Sequence, residues 1–200
     1  MKLNRWDDYY AQKARKEGYL ARSVYKLIEI QKKRAVLKRG GKALDLGAYP
    51  GSWLQFISKV VGKTGLVVGI DIVALKGSMP ENVQFIQADV LSLEKGILDE
   101  FPGGFDTILS DMAPKTSGNK FVDTQRSLLL CKAALNISDR YLRPRGAFVC
   151  KVFQGDGFEE FLEMSKKRFE KIKLIRPKST RKASKEIYVI GLRNLGIEEL

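Results

Sequence analysis

Ala43-Leu44-Asp45-Leu46-Gly47-Ala48-Tyr49-Pro50-Gly51-Ser52-Trp53 runs from a short apolar segment through a glycine-bearing turn into a segment with helical spacing. A buried strand that empties through such a turn into a helix is a building unit of open α/β sheets, whose ligands sit beyond the carboxyl ends of the strands. Glycine serves there because backbone without a Cβ can pass close to a ligand. Twenty residues beyond Gly51 stands Asp71, at the end of the apolar run Gly65-Leu66-Val67-Val68-Gly69-Ile70. A carboxylate in that place can accept both hydroxyls of an adenosine ribose.

The same geometry suits a nicotinamide dinucleotide. Two features favour a different adenosine-bearing molecule, the methyl donor S-adenosylmethionine. The glycines read G-x-x-x-G, so the tight pyrophosphate turn of G-x-G-x-x-G is not spelled out, and Pro50 lies within the turn. Further on, Gln87-Ala88-Asp89 closes a third apolar run with polar groups suited to an adenine amine, and Asp111 closes a fourth. Candidate cofactor-binding residues are Gly47, Ala48, Pro50, Gly51, Ser52 and Trp53 in the turn. Asp71 with Ile72, Asp89 with Val90, and Asp111 join them at the strand ends. Acidic helix caps after strands would account for any one of these carboxylates alone.

Outward from the turn, short apolar runs alternate with amphipathic ones. The pattern predicts strands over Lys42–Leu46, Leu66–Asp71, Val83–Gln87, Phe105–Ser110, Ala147–Val152, Lys171–Arg176 and Ile187–Leu192. It predicts helices over Ser52–Val61, Ser92–Glu100, Asp123–Leu142 and Gly157–Phe169. Repeated strand–helix units imply a parallel, doubly wound sheet. Between the last two runs lies only the basic loop Pro177–Lys185, too short for a crossover helix, so that pair should be an antiparallel hairpin. A Rossmann-like, mostly parallel seven-stranded sheet ending in such a hairpin is, by analogy of fold, the layout of class I methyltransferases. The expectation is one domain over residues 1–200, with a basic helical extension over about residues 1–40. In it, Trp6–Lys16 is a helix candidate interrupted by Gly18, and Ser23–Lys33 is a better one.

The chain has 200 residues, 44% of them hydrophobic, enough for a sizeable core. Its formal net charge of +13 is unevenly spread. Residues 1–42 carry 13 basic and 4 acidic groups, residues 163–193 carry 11 and 3, and the middle is nearly balanced. If the fold joins the two basic ends, they form the kind of face a polyanion needs. Trp6, Tyr9, Tyr10 and Tyr19 are interleaved with the first basic segment, either as stacking partners for unpaired bases or as anchors of a helix. The two cysteines, Cys131 and Cys150, lie in apolar stretches, as expected of buried thiols in a reducing, cytoplasmic setting. No apolar run reaches membrane-spanning length, and no metal-ligand cluster stands out.

There is no histidine, so any proton shuttle falls to Lys, Asp, Glu, Tyr or Cys. Neither cysteine looks poised for nucleophilic attack on a base. The turn Asp111-Met112-Ala113-Pro114-Lys115 lacks the aromatic that base-amine methylation uses to stack an extruded base. Oxygen is therefore the attractive acceptor.

Four segments, in order, resemble the signatures of FtsJ-type ribose 2′-O-methyltransferases. They are Arg22-Ser23-Val24-Tyr25-Lys26-Leu27, Ser110-Asp111-Met112-Ala113-Pro114, Val149-Cys150-Lys151-Val152-Phe153-Gln154-Gly155 and Ser184-Lys185-Glu186-Ile187-Tyr188. The resemblance implies a catalytic Lys–Asp–Lys–Glu tetrad at Lys26, Asp111, Lys151 and Glu186, with Lys151 as proton acceptor. It also implies S-adenosylmethionine as donor and RNA as partner, foremost a uridine of large-subunit ribosomal RNA within the ribosomal particle. A monomer that binds neither DNA nor membrane is expected. Relatives of the family act on transfer RNA or messenger RNA caps, and a non-catalytic RNA-binding assembly factor would retain the fold. Tyr49 and Ser52 are bulkier than the small residues usual in the turn, Asp156 stands where glutamate is common, and Lys115 where asparagine is.

Overall fold

A computed structural model describes residues 5–94, 96–114 and 117–196. Helices α1 (Arg5–Lys16) and α2 (Val24–Arg34) precede the sheet. Then come β1 (Lys42–Leu46), α3 (Ser52–Val61), β2 (Leu66–Asp71), β3 (Val83–Gln87), β4 (Phe105–Ser110) and α4 (Lys120–Tyr141). The chain finishes with β5 (Leu142–Phe153), α5 (Phe158–Lys166), β6 (Phe169–Ile175) and β7 (Glu186–Asn194). The strand order is β3-β2-β1-β4-β5-β7-β6. The first five of these strands pair in parallel. β7 runs antiparallel to both β5 and β6, so the expected terminal hairpin is present.

Side chains alternate across each strand, so each strand feeds two cores. Leu44, Leu46, Ile108, Phe148 and Cys150 face one core together with Leu128, Leu135 and Phe161 of α4 and α5. Ala43, Val67, Leu109, Val149, Tyr188 and Ile190 face the other, against Leu27 and Ile30 of α2 and Trp53, Leu54 and Ile57 of α3. Leu27 and Ile30 are fully buried, and each such side chain contributes about 1.5–3 kcal/mol of apolar transfer free energy. That burial clamps α2 to the sheet. A small third cluster of Ala14, Val24 and Tyr25, flanked by Tyr10 and Tyr19, ties α1 to α2.

One predicted element is corrected. No helix occupies Ser92–Glu100; a single 3-10 turn over Val90–Ser92 is followed by irregular turns. Gly96, with φ +94°, interrupts the run in a conformation a helix cannot use. Leu98 and Phe101 plug the first core directly from the loop. Two helix limits also move. α4 begins at Lys120, because Asn119 Oδ1 accepts hydrogen bonds from the amides of Phe121 and Val122. α5 ends at Lys166, because Phe169 already belongs to β6. Both cysteines are buried and free. No helix among the described residues is long and apolar enough to cross a membrane.

Candidate active site at the carboxyl edge of the sheet

A cavity of about 310 Å³ opens beyond the carboxyl ends of β1, β2, β3 and β4. Its walls include Gly47, Asp71, Ile72, Asp89, Val90 and Asp111, six of the residues expected from the sequence. Tyr49, Val73, Ala88, Met112, Ala113 and Leu130 complete it. Ala88 and Met112 adjoin motif residues and were within reach of a sequence reading. Leu130 comes from α4, and only the packing of that helix brings it there. Lys115 lies outside the described residues.

Gly47 is needed for its missing side chain. It has φ +81°, and a Cβ there would stand 2.7 Å from Met112 Cγ and 3.1 Å from the Met112 backbone. The backbone of the turn therefore forms a cavity wall. The Asp71 carboxylate is held in place by the amides of Tyr49 and Val73, each at 2.9 Å. Each oxygen retains a lone pair for a ligand hydroxyl. Asp89 caps the 3-10 turn through Oδ1 (Leu91 N, 2.9 Å), so the cap and the cavity wall are one residue.

The remaining turn residues lie behind the cavity lining. Ala48, Gly51, Ser52 and Trp53 are buried, and neither they nor Pro50 lines the cavity. Ser52 Oγ lies 3.0 Å from Ser23 Oγ, and Trp53 Nε1 donates to the Ser23 carbonyl at 3.0 Å. Their observed contacts knit the turn to the start of α2, which carries Lys26.

At one end of the cavity, strand parity collects the chemistry. Asp45, Asp71, Asp111, Lys151, Tyr188 and Glu186 each lie an even number of residues from a side chain of the second core. All of them therefore emerge on the face that α2 covers. Lys151 Nζ lies 2.9 Å from Asp111 Oδ1 and donates to the Asp111 carbonyl at 2.5 Å. Tyr188, opposite Lys151 in the β5–β7 register, donates its hydroxyl to the same Oδ1 at 2.6 Å. Lys26 reaches in from α2 to Glu186 Oε1 at 2.6 Å, with its ammonium 5.9 Å from the Tyr188 ring centre. The four residues of the predicted tetrad thus form two adjacent ion pairs, with Tyr188 between them. Its motif was quoted from the sequence, but no role followed from that quotation.

Only 6% of the Lys151 side chain is exposed, so this amine does not project into bulk solvent. Burial works to raise the Asp111 carboxyl, but the Lys151 and Lys26 cations and the Tyr188 hydrogen bond outweigh it and hold it below the usual range. Tyr188 is pushed well above the usual phenol range by burial and by the charges of Asp111 and Glu186, so it remains a donor.

Asp45 is the residue that sequence reading left without a function. It is completely buried at the end of β1, and neither carboxylate oxygen has a hydrogen-bond partner. Burial, then repulsion from Asp111 and Asp71, pushes its carboxyl well above the usual range. An ordinary unfolded aspartate ionises near pH ~3.9, so rising pH increasingly favours the unfolded chain through this group. The neutral isostere Asp45→Asn is therefore expected to raise the melting temperature near neutral pH by on the order of 3 °C. The gain should shrink toward zero near pH 4. Thermal melts at both pH values check this, and a gain independent of pH would contradict a carboxyl kept neutral by its surroundings.

These features fit a cationic, adenosine-bearing ligand. The glycine turn leaves room for close approach, and Asp71 and Asp89 offer acceptors along the cavity. The Asp111 carboxylate, held ionised, adds negative charge at the cavity wall. S-adenosylmethionine has both a sulfonium and an ammonium to meet such a field.

Known proteins agree with this layout. The family model for FtsJ-like methyltransferases matches residues 19–194. A ribosomal RNA large subunit methyltransferase E of Desulfatibacillum aliphaticivorans is 49% identical over 193 residues, covering 96% of this chain and 93% of its own. Its namesake in Desulfosudis oleivorans is 50% identical over 184 residues, covering 92% and 89%. Among solved structures, a ribosomal RNA methyltransferase of Plasmodium falciparum superposes with a TM-score of 0.79 at 30% identity, covering 90% of this chain and all of that one. With its matched segment running from the start of α2 through β7, the chain belongs to the FtsJ-like methyltransferase family.

Proposed function

We propose that this protein transfers the methyl group of S-adenosylmethionine to the 2′-hydroxyl of a ribose in large-subunit ribosomal RNA, at a uridine. One observation carries the reading: a buried lysine amine, Lys151, is fixed by Asp111, which also lines the cavity, and stands beside a second ion pair. The names of the relatives support the choice of ribosomal RNA.

A ribose hydroxyl is a weak nucleophile, so the protein must align it and take its proton. The donor supplies an electrophilic methyl group on a sulfonium sulfur, which receives the bonding electrons as the new C–O bond forms. Lys151 Nζ, once it has passed a proton to solvent, accepts the 2′-hydroxyl proton. Asp111 orients Nζ through both its carboxylate and its backbone carbonyl, and then compensates the ammonium that results. Tyr188 holds the Asp111 carboxylate in register. Lys26, steadied by Glu186, places a cation beside the developing oxyanion. The cavity residues Gly47, Asp71, Ile72, Asp89 and Val90 bind the donor's adenosine and methionine parts. Ala48, Pro50, Gly51, Ser52 and Trp53 would complete the donor site from the turn.

The decisive experiment is transfer of radiolabelled methyl to total RNA from cells lacking the enzyme, followed by nucleoside mapping. Label in an alkali-resistant dinucleotide of large-subunit RNA is the expected result. Label in transfer RNA, on a base, or nowhere overturns it. RNA affinity should also fall steeply with added salt, because lysine–phosphate contacts release counterions. A flat response between 50 and 200 mM salt, on the order of the range that separates such binders, would count against a basic RNA-binding face.

A further inference from the structure

Beside the reaction site, along α2, lies a second concavity of about 350 Å³. Its floor is Tyr10, Tyr25 and Ile28, and its rim carries Lys13, Lys32 and Lys178. Three segments build it: α1, α2 and the loop between β6 and β7. Two polar contacts seat that loop on α2. Arg22 donates to the Ser179 carbonyl at 3.1 Å, and the Lys178 amide donates to Glu29 Oε2 at 2.7 Å.

The acid in this slot is already engaged. Glu29 Oε1 takes the Lys33 ammonium at 2.8 Å while Oε2 takes the Lys178 amide. Among the described residues, neither Lys32 nor Lys178 has a carboxylate partner for its ammonium, and both side chains are exposed. The slot is thus an aromatic and aliphatic hollow whose rim carries the two uncommitted cations Lys32 and Lys178, and Lys13, which also pairs with Glu17 at 3.8 Å. Lys13 lies 4.9 Å over the Tyr25 ring, so one face of that ring is covered, and Tyr10 is the ring left half-exposed. The two rings meet at 5.3 Å.

Continuity with the reaction site identifies what passes over the slot. Tyr25 in its floor is followed by Lys26 in the site. Glu29 and Lys33 lie one and two turns along the same helix face as Lys26. The loop that walls the slot runs directly into Glu186, the partner of Lys26. The slot thus borders the path of a strand that would present a ribose to Lys151 and Lys26.

We infer that this slot is a guide-nucleotide subsite: it takes an unpaired base that neighbours the methylated nucleotide, with the flanking phosphates on the lysine rim. The inference rests on the proposed RNA substrate. An aromatic floor suits a base because every base offers a π-face, and single-stranded RNA is held in this way by stacking platforms lined with cations. A rim of cations alone would bind phosphate without needing Tyr10. Tyr10 is a positioning residue here and touches no reacting atom. Of the aromatics interleaved with the basic segment, Tyr10 thus serves both ends: one side packs in the cluster that ties α1 to α2, and its half-exposed side offers RNA a ring. Tyr19, at 6.4 Å from Tyr25 and capped by Lys59 at 4.4 Å, belongs to the helix anchor. The Trp6 side chain lies outside the described residues.

The test compares a hexauridylate with the same backbone lacking its bases, by fluorescence anisotropy at fixed salt. Wild-type protein should prefer the base-bearing strand, and Tyr10→Ala should weaken that strand by roughly 10-fold while leaving the abasic one unchanged. Tyr10→Phe should restore the preference. On ribosomal RNA, Tyr10→Ala should raise KM with kcat retained. Photocrosslinking of a 4-thiouridine hexamer to unmodified protein, mapped to residues 10–13 or 25–32, supplies a readout that needs no variant to fold. Crosslinks confined elsewhere, equal affinity of the wild type for both strands, or displacement of the hexauridylate by hexaglutamate at lower concentration would each overturn the subsite. These binding results are read without methyl transfer, so they fail separately from the proposed reaction.

Discussion

Replacing Lys151 with alanine is expected to slow methyl transfer by about 10²–10⁴-fold, the usual contribution of a positioned general base. Donor binding should persist, because Lys151 does not line the donor cavity. The physical ground is the placement of the amine: 94% of the side chain is withdrawn from solvent, with its nitrogen fixed between the carboxylate and carbonyl of one residue. Two companion variants separate charge from proton transfer. Lys151→Met keeps the stem and removes the nitrogen. Lys151→Arg keeps a cation that cannot release its proton. Both should be as slow as alanine in single-turnover methylation of large-subunit RNA, with donor affinity measured by calorimetry. An arginine variant within threefold of wild type, on the order of measurement scatter for such rates, would show that the side chain supplies only positive charge.

The second large effect is expected at Asp111, and it extends to stability. Its Oδ1 receives both the Lys151 ammonium and the Tyr188 hydroxyl. Removing one partner of a buried pair leaves the other uncompensated, at a cost of about 3–5 kcal/mol. For a chain of this length, Asp111→Ala should lower the melting temperature by about 10 °C and should abolish detectable methyl transfer. The pH dependence has a definite sign. The Asp111 carboxyl is held below its usual range, so its contribution is fully present above pH ~3.9 and is lost as pH falls through the lowered native value. Wild type and variant should therefore differ by a constant amount near neutrality and converge only in acid. A difference that narrowed already between pH 8 and 6 would mean that some other group supplies the stability. Asp45 has the opposite sign within the same site, because burial and the charges of Asp111 and Asp71 both disfavour its anion.

Much of the sheet could be read from local patterning. Apolar runs bounded by glycine, proline and acidic residues marked all seven strands, and the short loop Pro177–Lys185 dictated the hairpin. The Ser92–Glu100 segment misled because its amphipathic spacing matches a helix, while Gly96 and the burial of Leu98 and Phe101 act through tertiary packing. Four catalytic candidates were legible as residues in motifs. Their pairing was not: nothing local says that Lys26 meets Glu186, 160 positions away in the chain, or that Lys151 meets Asp111.

Alternation was enough to fix which side chains share a face within each strand, while the pairing register put Asp45, Asp71, Asp111, Lys151 and Glu186 on one side of the sheet. The helix that covers that side, the two ion pairs it completes, the hydroxyl of Tyr188 between them and the orphaned acid of Asp45 required the folded chain. Direction is a property of neighbouring peptide units. Partnership and burial depend on distances between segments remote in the chain, which exist only once Leu27 and Ile30 have locked α2 against the sheet.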